Sequence, residues 1–143
     1  MIWTNDWLLG LPLLVSTTVI HVTAFMIVTK TLIPEIKPSA RKMVTFNVSV
    51  AILALFAAVL HGVEAFLWAL LYVYVGALSN LSDATLYSLG AITSYGHAPE
   101  LLRPDWRLGG AIEAVNGLIL FGLTTAFFFA AIQNAWPDNS KAH

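Results

Sequence analysis

From about Trp7 to Leu32, from about Met43 to Leu78 and from about Leu108 to Ala135, this chain is almost continuously apolar. A helix needs roughly 20 apolar residues to cross the hydrocarbon of a bilayer. Each stretch is long enough, and Pro12 falls in the early turns of the first, where proline is tolerated. Charge is correspondingly scarce: 10% of the 143 residues are charged and 58% are hydrophobic, whereas soluble domains average about 25% charged. So few charges cannot cover a water-facing surface. The expected class is an all-α integral membrane protein with three transmembrane helices.

The segment 43–78 is long for one crossing. A break at His61-Gly62 would leave two marginal halves with almost no residues for a turn, so one long, tilted helix is expected. The linker "KTLIPEIKPSARK" carries Lys30, Lys37, Arg41 and Lys42 against Glu35 alone, and Lys141 lies in the C-terminal tail. Arg103 and Arg107 are accompanied by Asp83, Glu100 and Asp105. The excess of basic residues puts the linker and C-terminus in the cytoplasm, with the N-terminus and the 79–109 region outside. The expected location is the cell inner (cytoplasmic) membrane. "MIWTNDWLLG" has no basic stretch, so the first apolar segment is expected to remain as a span rather than be cleaved. Trp3, Trp7, Trp106 and Trp136 fall near span ends, where an aromatic belt would have them.

Several function classes drop out. There is no cysteine, which excludes disulfides, thiolate metal sites and cysteine nucleophiles. The net charge of −1 and the lack of a basic stripe argue against nucleic acid. No phosphate loop, nucleophile–base pair or paired catalytic carboxylates can be found, so an enzyme is not expected. No arginine series at helical spacing suggests voltage sensing.

Between the second and third spans runs "SNLSDATLYSLGAITSYGHAPELLRPDW". Ser82 followed by Asp83 reads as a helix start, giving a helix over 82–92 that is too short to cross. "TSYGHAPE" follows, with Gly96 and Pro99 breaking regular structure. A short apolar helix and irregular backbone between two spans reads as a re-entrant loop; irregular backbone at membrane depth survives only inside protein or against a water-filled cavity. The other reading is an extracellular linker lying on the membrane surface.

With "ATLYSLGAI", "TSYG" and "WRLGGAIEAVNGLILFGLTTAFFFAAIQ", the region from about Leu60 to Gln133 resembles the pore module of the potassium-channel superfamily, in particular small bacterial ion-channel proteins. The resemblance implies an outer helix (43–78), a pore helix (82–92), a filter (93–97) and an inner helix (108–135) within a module spanning 43–136. Residues 1–42 would add a peripheral helix and basic linker, and 137–143 a cytoplasmic tail. It implies a homotetramer in which Ile92, Thr93, Ser94, Tyr95 and Gly96 line the ion path, with His97 at the outer mouth. No cofactor is implied, and a monovalent cation could occupy the filter. Aligned on Tyr95-Gly96, Ile92 stands where the family has threonine, Ser94 where it has its first filter glycine, and His97 where an aspartate is usual. The implied function is a cation channel with an altered filter whose selectivity the resemblance does not specify. The alternative is a non-conducting, channel-like structural or regulatory subunit. Gly117 and Gly122 are expected to serve as inner-helix hinge or packing positions, and Thr124 and Thr125 are candidates for a cavity wall.

His21, His61 and Glu64 are ionisable residues inside expected spans, where such groups default to a functional hypothesis. His61 and Glu64 share a helix face, and His21 falls at similar depth. Three readings stand open: a hydrogen-bonded structural cluster, a proton-sensing or relaying group, and a haem or metal site through His21 and His61. Glu113 and Asn116 open the third span. Glu113 is expected either to buttress the pore-helix region or to be an interfacial carboxylate; Asn116 is expected to hydrogen-bond between helices.

Overall fold

The computed structural model describes residues 4–32, 42–93, 95–96 and 102–135. Ser94 and His97, the linker 33–41 and the tail from 136 onward therefore lie outside the described residues. All regular structure among the described residues is helical: α1 (Thr4–Leu32), α2 (Lys42–Tyr74), α3 (Leu81–Ile92) and α4 (Arg107–Ala135), with a single 3-10 turn over Pro104–Trp106 leading into α4. Three of these helices are long and apolar enough to cross a membrane, over Thr4–Thr31, Phe46–Tyr74 and Pro104–Gln133.

Side-chain pairing sets the directions. Asp6 meets Gly109, Thr17 meets Asn116 and His21 meets Thr124. Phe25 stacks on Phe127 at 5.0 Å. The numbers rise together, so α1 and α4 run in parallel. Helix α2 runs the other way: Phe56 packs on Phe25, and Glu64 meets His21. Farther along, Trp68 lies near Gly10 and Tyr72 beside Gly109. Chain direction thus alternates, as three successive crossings require. Helix α2 is continuous through His61-Gly62, as the sequence led one to expect.

The ends of α2 and α3 have local causes. Gly76 takes a left-handed conformation (φ 68°). Ala77 N–H donates to Tyr72 O at 2.8 Å and Gly76 N–H to Val73 O at 3.1 Å. That is a glycine-terminated Schellman pair, and it stops α2 at Tyr74 rather than at the expected residue 78. Helix α3 starts at Leu81, one residue before the expected 82, because Asn80 and not Ser82 is the cap: its side chain accepts from Asp83 N–H at 2.8 Å.

Helix α3 packs between α2 and α4. The Tyr87 hydroxyl sits over Gly110, and the Ile92 backbone lies against Gly117 so closely that a Cβ there would be 2.3 Å from the Ile92 carbonyl oxygen. One upper core joins the elements at this end, with Trp68, Tyr72, Tyr87, Ile92, Trp106 and Ile112 buried together. A lower core of Phe25, Leu53, Ala57, Leu60 and Ala131 closes the other end. Trp106 is 7% exposed, so it is a core residue and not part of an aromatic belt; Trp7, at 48%, remains on the surface. Trp3 and Trp136 lie outside the described residues.

Candidate functional site

Two regions carry the polar chemistry. The first is the end of α3. Ile92 is its last residue and its side chain is buried in the upper core. The Thr93 hydroxyl donates back to Leu89 O at 2.6 Å and accepts from Tyr95 N–H at 3.4 Å. Gly96, in a left-handed conformation (φ 79°), returns its N–H to Gly90 O at 3.2 Å. The chain therefore folds back on the last turn of α3, and the Tyr95 side chain is 93% exposed. Of the expected ion-path residues, Ile92, Thr93, Tyr95 and Gly96 lie together here, with Ile92 facing the protein.

Behind α3 sits a buried polar layer. Glu113 is fully buried and accepts from the Tyr72 hydroxyl at 2.8 Å. Its other oxygen and Ser88 Oγ are buried near one another without an aligned hydrogen bond. Glu113 thus sits behind the short helix, near Ser88 of α3, but its aligned hydrogen bond goes to Tyr72 on α2. Asp6, also buried, accepts from Gly109 N–H at 2.9 Å in the first turn of α4. A carboxylate there satisfies a donor that the helix leaves open. Sequence reasoning missed Asp6, whose partner lies across the fold. Asn116 Nδ2 donates to Thr17 Oγ1 at 2.8 Å, the interhelical bond expected of it.

The second region is nearer the middle of the bundle. His21, His61 and Glu64 do come together, and Thr124 completes the group. His21 Nδ1 is 2.8 Å from Glu64 Oε1. His61 Nδ1 is 3.2 Å from Glu64 Oε2. On their far sides, His61 Nε2 and His21 Nε2 each lie 3.1 Å from Thr124 Oγ1. The two imidazoles thus share one carboxylate and one hydroxyl, with ring centroids 5.3 Å apart. Phe25 packs on His21, and Phe121 stacks on His61 at 4.3 Å. Apolar rings thereby seal the cluster, and His61 is 7% exposed. Three helices contribute: α1 through His21, α2 through His61 and Glu64, and α4 through Thr124.

Thr124 thus faces the histidines, while the Thr125 hydroxyl bonds Phe121 O at 2.9 Å. The two glycines of α4 part company. Gly117 is a close-packing position against α3, whereas nothing lies within 4 Å of a Cβ built on Gly122.

No protein-family model, characterised protein or solved structure matches this chain. Function has to be argued from the geometry.

Proposed function

We propose that this chain is one subunit of a homotetrameric, potassium-channel-like cation channel of the cytoplasmic membrane, with its N-terminus outside and "TSYG" (Thr93–Gly96) as an altered filter. One observation carries this function: the register of α3 along α4. Tyr87 meets Gly110 near the start of α4, and about one and a half turns later along α3 Ile92 meets Gly117. Gly117 is about ten residues, or ~15 Å, beyond Arg107, roughly half of the ~30 Å hydrocarbon thickness. With Arg107 taken at the membrane surface, α3 would descend beside α4, and its C-terminal end with the turn that follows would lie at membrane depth. Backbone polar groups at such depth need protein or water around them, and an axial aqueous path meets that need.

The mechanism follows from elementary electrostatics. The C-terminal ends of four α3 helices, each carrying partial negative charge, would face a common axis and favour a cation. Backbone carbonyls after α3 would replace part of the ion's hydration shell. One loop per chain cannot close a ring, so a symmetric assembly is required. Tyr95, Leu86 and Leu118, at 93%, 67% and 75% exposure in the single chain, would meet neighbouring subunits or lipid. The test is cation flux through purified protein in liposomes, with potassium, with sodium and with no permeant cation. Flux that falls to background in Tyr95→Ala supports the channel; no flux from folded tetramers overturns it.

A second function has its own support. Ile92 has a hydrocarbon side chain turned into the core, and the Thr93 hydroxyl is held against the end of α3, donating to Leu89 O and accepting from Tyr95 N–H. A scaffold of this shape that does not conduct would serve as a structural or regulatory subunit, and the liposome assay separates the two.

A further inference from the structure

We propose that His21, His61 and Glu64 bind one divalent transition-metal ion of the zinc class inside the bundle, held in register by Thr124. The site is independent of whether the chain conducts. All three residues are buried, and one donor atom from each lies within 4.8 Å of the others. Tetrahedral ligands ~2.1 Å from a zinc ion are roughly 3.4 Å apart, so closing the set takes side-chain movements on the order of 1 Å. Two imidazoles and a carboxylate suit zinc, cobalt, nickel or copper(II) rather than magnesium or calcium, which take oxygen donors.

Counting hydrogens points to a cation. A hydroxyl has one proton and two acceptor sites, and a neutral histidine has one N–H. With both histidines neutral and Glu64 ionised, three bonds can be made. His21 Nδ1–H donates to Glu64, the Thr124 hydroxyl donates to His21 Nε2, and His61 Nε2–H donates to Thr124. His61 Nδ1 is then left as a lone pair against the Glu64 Oε2 lone pair, 3.2 Å away. Those two atoms are buried with no aligned hydrogen bond. Lone pairs so placed call for a cation between them, either a proton on His61 Nδ1 or a metal ion, and the titration below distinguishes the two.

A metal ion satisfies all the groups at once. His21 moves its proton from Nδ1 to Nε2, with no net proton lost. Both Nε2–H groups then donate into the two acceptor sites of Thr124 Oγ1, which each already approaches at 3.1 Å, and the Thr124 hydroxyl proton turns back to the preceding turn of its own helix. Both Nδ1 lone pairs and the Glu64 carboxylate are left for the ion. An N–H donated to an oxygen on the far side of the ring is the usual way a metal-binding histidine is oriented. A fourth position is left to water or a small anion. Rings 5.3 Å apart that share a carboxylate and a hydroxyl admit an ion between them but not a porphyrin plane.

The experiment is cobalt(II) titration of full-length protein purified in detergent and stripped with chelator, read by visible absorption and by metal content after dialysis. Wild type is expected to hold one cobalt per chain with a visible d–d band. His61→Asn should weaken binding at least 100-fold, while a His97→Asn, His143→Asn double variant keeps it. Thr124→Val should weaken it about 10–100-fold without changing the stoichiometry. A wild-type protein that retains no cobalt, binding unchanged in folded His61→Asn, or binding lost in the double variant each overturns the proposal. If His61→Asn does not fold, Thr124→Val decides, and unchanged affinity there overturns it.

Discussion

Buried polar side chains tie these helices together at named residues. Tyr72 donates to Glu113 at 2.8 Å, and both are fully buried. Tyr72→Phe keeps the ring and strands the carboxylate. An unsatisfied buried acceptor costs about 1–3 kcal/mol, so thermal unfolding in detergent should show a loss of that size, and no shift would mean that the bond contributes nothing. His21, His61 and Glu64 were legible in the sequence because ionisable residues are rare inside a span and stand out. Thr124 was expected at a cavity wall, whereas its hydroxyl faces His21 and His61. Threonines in apolar helices usually bond their own preceding turn, as Thr18, Thr29, Thr31 and Thr125 do here, and nothing local distinguishes one that bonds across helices. Asp6 was missed for a related reason: its partner, Gly109, is a backbone group 103 residues away.

Elements are positioned by small residues and caps. Gly117 and Gly122 look equivalent in sequence, but their surroundings differ. A methyl group on Gly117 would be driven into the Ile92 backbone, 2.3 Å from its oxygen, whereas Gly122 has open space. Gly117→Ala must push α3 away from α4, at about 1–3 kcal/mol by analogy with overpacked cores. Gly122→Ala should be neutral or stabilising by up to about 1 kcal/mol, since alanine is the better helix former. Equal effects in thermal unfolding would contradict the packing described. At the start of α3, Asn80→Ala removes the cap and should cost about 1 kcal/mol. The existence of α3 and its end at Ile92 could be read from the sequence. Its start was expected at Ser82, but Asn80 is as good a capping residue and is the one that caps the helix.

For the molecule as a whole, three helices long and apolar enough to cross a membrane were evident from segment length alone. The parallel pairing of α1 with α4 was less visible, because it depends on which polar residues find one another: Asp6 with Gly109, Thr17 with Asn116, His21 with Thr124. The assembly is a matter of exposed surface. Leu118 on α4 is 75% exposed in the single chain, and a channel built from four copies would turn part of this face toward a neighbour. The chain has no cysteine, so one introduced cysteine gives an unambiguous signal. Leu118→Cys, oxidised in membranes, should yield disulfide-linked dimers; exclusively monomeric protein would indicate that this face meets lipid.

The same cysteine-free background permits the most direct test of the central claim, that the turn after α3 borders an ion path. Thr93→Cys protein, which keeps Tyr95, would be reconstituted in liposomes, and cation flux measured before and after a water-soluble thiol reagent is added from outside. The account predicts that the reagent labels the cysteine and that flux falls in proportion to labelling. Complete labelling with unchanged flux, or flux through a cysteine that no reagent reaches, would contradict it.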